Sequence, residues 1–202
     1  MKQLLATLAT FLLLVAPAMA ENVIVGEFTS VSLSEDTTDA EFEMNGVSVD
    51  WYHFNESNDM YFGTSGGSVS GSDRLCDIDF CLDFDVDLTY TEFAIGYSLE
   101  NRFTPFASIA FSETVLDFGV SGLGIVDVTQ DETSLNAGTF YGDSGGRFMI
   151  SLNNLDGDEQ SLRVGGYYTL DFNNIVLGGS FESPTESFLD SYIISAGIGW
   201  SF

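Results

Sequence analysis

From Tyr192 to the last residue, every second side chain is apolar: Tyr192, Ile194, Ala196, Ile198, Trp200 and Phe202, with Ser195, Gly197, Gly199 and Ser201 between them. A period of two is that of a β-strand with unlike surroundings on its two faces. Ile193 is the one exception. After residue 20 no uninterrupted apolar run approaches the roughly eighteen residues that a membrane helix requires. The chain is nevertheless 45% hydrophobic while carrying 31 Asp plus Glu against 5 Lys plus Arg. Alternating strands satisfy both facts, with one face toward an apolar medium and the other toward water or a polar interior.

An alternating last strand that ends in an aromatic residue resembles those of the bacterial outer-membrane β-barrel proteins. The remaining alternation and turn spacing are similar to the small OmpA- and OmpX-like barrels. The resemblance implies that Tyr192, Ile194, Ile198, Trp200 and Phe202 form the signal read by the barrel-assembly machinery.

The first twenty residues read as a removable leader. Lys2 supplies a basic start, Leu4 to Val15 is apolar apart from two threonines, and Ala18-Met19-Ala20 offers the small residues a signal peptidase needs. The expected domains are therefore a signal peptide at 1–20 and a barrel at 21–202. Removing Lys2 with the leader leaves four arginines against 31 acids, a net charge of −27. Such a chain has no basic patch for phosphates, so nucleic acid is excluded as a partner. Its 18 Phe, 8 Tyr and 2 Trp argue against disorder.

Moving back along the chain, Ile175, Leu177, Gly179 and Phe181 share a face, and Asn173-Asn174 turns into the strand Leu162 to Phe172. Phe148, Ile150 and Leu152 alternate next, preceded by a weaker strand from Leu135 to Tyr141. Phe93, Ile95, Tyr97 and Leu99 lead through Glu100-Asn101-Arg102 into Pro105, Ala107, Ile109 and Phe111. Strands are also expected at Val23 to Leu33, Phe42 to Phe54, Met60 to Ser70 and Leu82 to Leu99. The last of these changes phase, with apolar residues at even positions up to Tyr90 and at odd ones from Phe93, and a bulge near Thr91-Glu92 would reconcile the two.

The expected fold is an all-β, antiparallel up-and-down transmembrane barrel. Ten strands are favoured, with Pro105 to Val128 as one long strand; eight remain possible if Leu135 to Leu152 is a hairpin outside the bilayer. With both termini in the periplasm, the opposite connections fall near 34–41, 72–87, 127–134, 155–159 and 182–190. They hold 19 of the 31 acids.

Cys76 and Cys81 are the only cysteines. In an exported chain they are expected to form a disulfide, which over so short a loop would stabilise by only about 2 kcal/mol and serve local rigidity. Asp77, Asp79, Asp83, Asp85 and Asp87 share one face of the strand through that loop and are weak candidates for binding Ca²⁺ or Mg²⁺. Diffuse association with divalent cations is the broader expectation. No cofactor is expected.

Catalysis finds little support. Barrel enzymes of the outer membrane work near their outer end with a histidine, whereas the single His53 sits beside a periplasmic turn with no local Ser or Asp companion. Arg147 and Arg163 are placed by their phase in the lumen, where Asp171 could pair with Arg163. A barrel of this size has its interior largely filled by side chains.

These features point to a monomeric, non-enzymatic outer-membrane barrel with acidic surface loops and a structural, adhesive or envelope-integrity role, in contact with outer-membrane lipid and lipopolysaccharide. A narrow cation-preferring channel is the alternative on the same scaffold. A secreted acidic β-sandwich that binds calcium or carbohydrate is the alternative in a different class, and it predicts that the apolar faces meet in a core instead of forming an outward belt.

Overall fold

A computed structural model describes residues 20–35, 40–76, 81–120, 124–157, 160–170, 173–185 and 191–202. All of the leader expected at 1–20 except Ala20 lies outside them, as do Asp77, Asp79 and Asp171. Ten strands follow one another: β1 (Ala20–Glu35), β2 (Ala40–Asn55), β3 (Met60–Cys76), β4 (Cys81–Tyr97), β5 (Phe103–Val120), β6 (Gly124–Asp143), β7 (Gly146–Asn153), β8 (Ser161–Thr169), β9 (Ile175–Pro184) and β10 (Tyr192–Ser201). Each pairs antiparallel with its neighbours in sequence, and β1 pairs with β10 to close the barrel. At the seam the Asn22 and Phe202 backbones exchange hydrogen bonds of 3.1 and 2.9 Å.

The turns at the end that carries the termini are short, and residue types explain them. Asn173 and Asn174 both have positive φ, 61° and 54°, a region asparagine enters more readily than most residues, just before Ile175, whose carbonyl accepts from Leu170 N–H at 2.7 Å. Arg102 takes the left-handed position at the end of the Leu99–Arg102 turn, at φ 68°, a place where glycine is the usual occupant.

Strand lengths divide the barrel. A membrane-crossing strand needs about nine to eleven residues. The strands β7 to β10 have 8 to 10, whereas β1 to β6 have 16 to 20. Six strands therefore continue as a sheet well past the distal rim of the other four.

Large apolar side chains ring the outer surface at the level all ten strands share, among them Phe28, Val47, Val49, Phe93, Ile95, Phe148, Ile150, Leu177, Ile194 and Ile198. They do not meet one another in a core. Such a continuous exposed belt is stable only against hydrocarbon, which is the arrangement of a membrane barrel and not of a β-sandwich.

The structure corrects several sequence expectations. Pro105 to Val128 is not one strand: β5 ends at Val120, β6 starts at Gly124, and the two pair antiparallel from Val120↔Gly124. The connection expected at 127–134 is consequently part of β6. The loop expected at 72–87 is mostly strand, with only 77–80 between β3 and β4. No bulge occurs near Thr91-Glu92, because the register of β4 with both neighbours runs unbroken past that point.

The phase change that suggested a bulge has another cause. The even residues of β4 face inward throughout, and the inward environment itself changes along the barrel. Near the termini the interior is an apolar plug of Val23, Val25, Phe54, Tyr61, Phe106, Phe140, Met149, Tyr167 and Val176. A polar layer follows, with Glu27, Thr29, Ser48, Asp50, Ser108, Asn136, Ser151 and Ser195 buried. Beyond it lies a second apolar cluster of Val31, Met44, Val69 and Val86, packed with Phe42, Phe84, Leu88, Leu116 and Ile193. Ile193, the exception to the terminal alternation, belongs to this cluster.

Candidate functional site

Two charged regions result, one in the lumen and one on the outer face of the protruding sheet. In the lumen Arg163 projects from β8 toward three acids on other strands. Its Nη1 lies 3.6 Å from Glu92 Oε2, and Asp50 and Glu182 add to the negative potential around it. Glu92 accepts hydrogen bonds from Ser65 Oγ (3.4 Å), Asn136 Nδ2 (3.1 Å) and Ser108 Oγ. Asp50 accepts from Tyr52 OH at 3.2 Å, and Glu27 accepts from Ser195 Oγ. Buried carboxylates persist when nearly every lone pair finds a donor, and serine-rich inward positions provide those donors. A cavity of about 30 Å³ touches Asp50, Glu92 and Arg163, room for about one or two waters.

Closer to the termini, Arg147 reaches Glu21 on β1, with Nη2 3.1 Å from Oε2. Tyr167 OH donates to the other oxygen of that carboxylate at 2.9 Å, and the guanidinium sits 3.8 Å above the Phe54 ring. Around this pair, Phe140 contacts Tyr52, Phe54, Tyr61 and Phe106 at ring separations of 5.2 to 5.7 Å. The barrel is thus stoppered at its terminal end by stacked rings over a buried ion pair. Both lumen arginines therefore find acids from distant strands; Asp171, expected beside Arg163, lies outside the described residues.

The outer face of the protruding sheet carries the opposite pattern from the belt below it. Asp85, Asp117 and Asp127 stand directly opposite one another on β4, β5 and β6. Like charges paired across strands repel. The Asp117 carboxyl is accordingly held above the ordinary range, first by loss of hydration and then by the charge of Asp127 and its neighbours. Asp83 goes the other way: its bond to the Arg74 guanidinium holds its pKa low. Of the metal candidates, Asp83, Asp85 and Asp87 share this face. Among the described residues, no three acids, histidines or cysteines converge closely enough for a metal ion.

Backbone pairing puts Cys76 and Cys81 opposite each other at the ends of β3 and β4. His53 lies outward at the terminal end and is buried against Trp51, with Nδ1 2.9 Å from Asn22 Oδ1. Its hydrogen-bonding neighbour is an amide, not a carboxylate or a hydroxyl nucleophile. On the last strand Ile194, Ile198, Trp200 and Phe202 are all exposed outward.

Beyond β7, the edge of β6 from Gly124 to Ser134 pairs only with β5 among the described residues, and Val126 and Val128 are exposed beside it. The Ser121-Gly122 dipeptide, between Asp117-Phe118 and Val126-Asp127, is the turn signal in the sequence that marks this hairpin.

This architecture is the fold of the bacterial outer-membrane β-barrels. The chain is similar to the translocator domain of the autotransporter NalP from Neisseria meningitidis, with 12% identity, 100% of this chain and 94% of that one covered, and a TM-score of 0.54. It is also similar to the transport unit of the autotransporter AIDA-I from Escherichia coli (12% identity, 97% and 96% covered, TM-score 0.50) and to Ail, the attachment invasion locus protein of Yersinia pestis (12% identity, 91% and 99% covered, TM-score 0.49). No protein-family model and no curated protein sequence matches the chain.

Proposed function

We propose that the protein is a non-enzymatic barrel of the outer membrane that holds an acidic β-sheet above the cell surface as an adhesive or interaction platform. The carrying observation is the reversal of polarity along β1 to β6, apolar outside and polar inside at the belt, polar outside with acids on β2 and β4 to β6 and apolar inside beyond it. A sheet built only to cross a membrane has no use for a second, water-facing storey with its own core. The acids on that storey favour cationic partners, directly or through divalent cations, and disfavour polyanions. Charges along the β6 edge, including Asp127, Asp131 and Glu132, oppose pairing with a second identical edge. The ring-packed stopper argues against the channel alternative. A Cys76–Cys81 disulfide would pin the tip of the β3–β4 hairpin, and the leader would be removed on export.

Cells expressing the protein should gain adhesion to polylysine-coated surfaces over heparin-coated ones. Replacing Asp85, Asp117, Asp127 and Asp131 together by Asn should abolish that gain while leaving the amount of inserted barrel unchanged. Equal adhesion of both forms would overturn the reading. Steady single-channel conductance in a planar bilayer would favour the channel instead.

A further inference from the structure

Below the protruding sheet, the outward face of the short strands is not evenly covered. Register aligns Phe148, Gly166, Gly179 and Ala196 in one row across β7 to β10. The adjoining rows are tall, Val164 beside Phe181 on one side and Tyr168 beside Leu177 on the other. The result is an open groove of about 850 Å³ with a backbone floor and apolar walls. Its floor is fixed by conformation: Gly166 and Gly146 have φ of 140° and 155°, which a side chain would strain.

The groove lies within the belt, so what faces it is hydrocarbon. Water between the apolar walls would find few hydrogen-bond partners away from the terminal end, and emptiness would forfeit dispersion contacts along both walls. At its terminal end the lining reaches Arg102 and Asp143, on the tips of two neighbouring turns. Their charged groups are 3.3 Å apart and their side chains are 64% and 58% exposed. An accessible cation and anion side by side, at the rim of an apolar trough, complement a headgroup that itself carries a phosphate and an ammonium.

We infer that this groove is a lipid site, taking an acyl chain of a zwitterionic phosphoethanolamine phospholipid from the leaflet on the terminal side, with the phosphate at Arg102 and the ammonium at Asp143. The inference rests on the membrane-barrel reading. Tyr141 and Tyr168 flank the groove as amphipathic residues suited to the headgroup level.

The test uses the full exported chain refolded in detergent and mixed with phosphatidylethanolamine or phosphatidylglycerol of identical acyl chains, with retained lipid counted by native mass spectrometry. One phosphatidylethanolamine should be retained in preference to phosphatidylglycerol by about threefold to fivefold, the scale of exposed ion pairs. Val164→Trp, which narrows the groove from its wall without touching the strained glycines, should remove retention of both lipids. Arg102→Gln and Asp143→Asn together should keep a lipid but lose the preference. Equal retention of the two lipids by the unmodified protein overturns the headgroup assignment. Retention untouched by Val164→Trp, or a dimer whose interface covers this face in place of bound lipid, overturns the groove. Heat-modifiable gel mobility is recorded for each form: a chain that never forms a detergent-stable barrel overturns the membrane reading and the site with it, whereas a stable barrel without lipid overturns the site alone.

Discussion

At the level of Val49, the outward face carries the exposed apolar side chains of Phe28, Val47 and Val49 with Gly26 and Gly66 on the flanking strands, and the inward side chains include Asp50, Glu92 and Arg163. At the level of Asp85 the same sheet presents aspartates outward and packs Phe84, Val86 and Leu116 inward. Backbone pairing is the same at both levels, and only the surroundings differ. A β-sheet is therefore indifferent to which face is apolar; the solvent decides, residue pair by residue pair. The lower storey is a membrane barrel and the upper one follows the rules of a water-soluble sheet, joined without a break in register.

The largest test of this contrast is at the stopper. Phe140→Ala should cost about 3 to 5 kcal/mol, as for other large aromatics removed from a packed core. A urea unfolding series in detergent would measure it, and a parallel bilayer recording should show new conductance as the plug loosens. If stability were unchanged, the plug would not be a core.

Placing one side chain at both levels compares the storeys directly. Val49 is 54% exposed in the belt, and Val49→Arg should cost about 2 to 4 kcal/mol in lipid vesicles, the usual penalty for a charge near the middle of a barrel's apolar band. Asp85→Arg on the outer face of the upper storey should instead be neutral or stabilising, because it breaks the aspartate ladder. Equal penalties at the two positions would sink the two-storey description.

A smaller effect is expected at the groove floor. Gly166→Ala should lower stability by about 1 to 3 kcal/mol through backbone strain at φ 140°, seen as a reduced unfolding midpoint. The smallest change is Asp117→Asn. Because the Asp117 pKa is raised in the folded protein, its protonated form favours folding, and this contribution is fully present below the unfolded pKa and lost as pH rises through the folded one. The substitution should therefore stabilise the fold at neutral pH, and that advantage should shrink on acidification and in high salt. An advantage that grew as pH fell would contradict the ladder.

Much of the lower storey was legible in the sequence because lipid imposes strict alternation on one face. Phe148, Ile150 and Leu152, or Ile194, Ile198 and Trp200, announce their direction without help. The upper storey was not, because its alternation is inverted and looks like noise when read with the lipid rule. Ile193 and the even residues of β4 seemed to be exceptions for this reason, and Val126 and Val128 were absorbed into a strand that had already turned back. Asp83, Asp85 and Asp87 share a face by simple alternation, but no local pattern sets Asp85 beside Asp117 and Asp127 on the next two strands. Partners in the lumen were illegible for a different reason. Glu21 and Arg147 are 126 residues apart, and no local pattern connects them. Glu92 hides likewise, since its importance comes from donors on β3, β5, β6 and β8.

The seam between β1 and β10 has a consequence in time. The hydrogen bonds that close it join Asn22 on β1 to Phe202 beside β10, so the barrel shuts only once β10 has been delivered to β1. Contacts of such long sequence separation carry the largest loop-closure cost and form slowly. Until then β1 and β10 both expose unpaired edges. A chain that waits in this state is exposed to pairing with its copies, and the mutual repulsion of a net charge of −26 keeps those copies apart while each one waits to close.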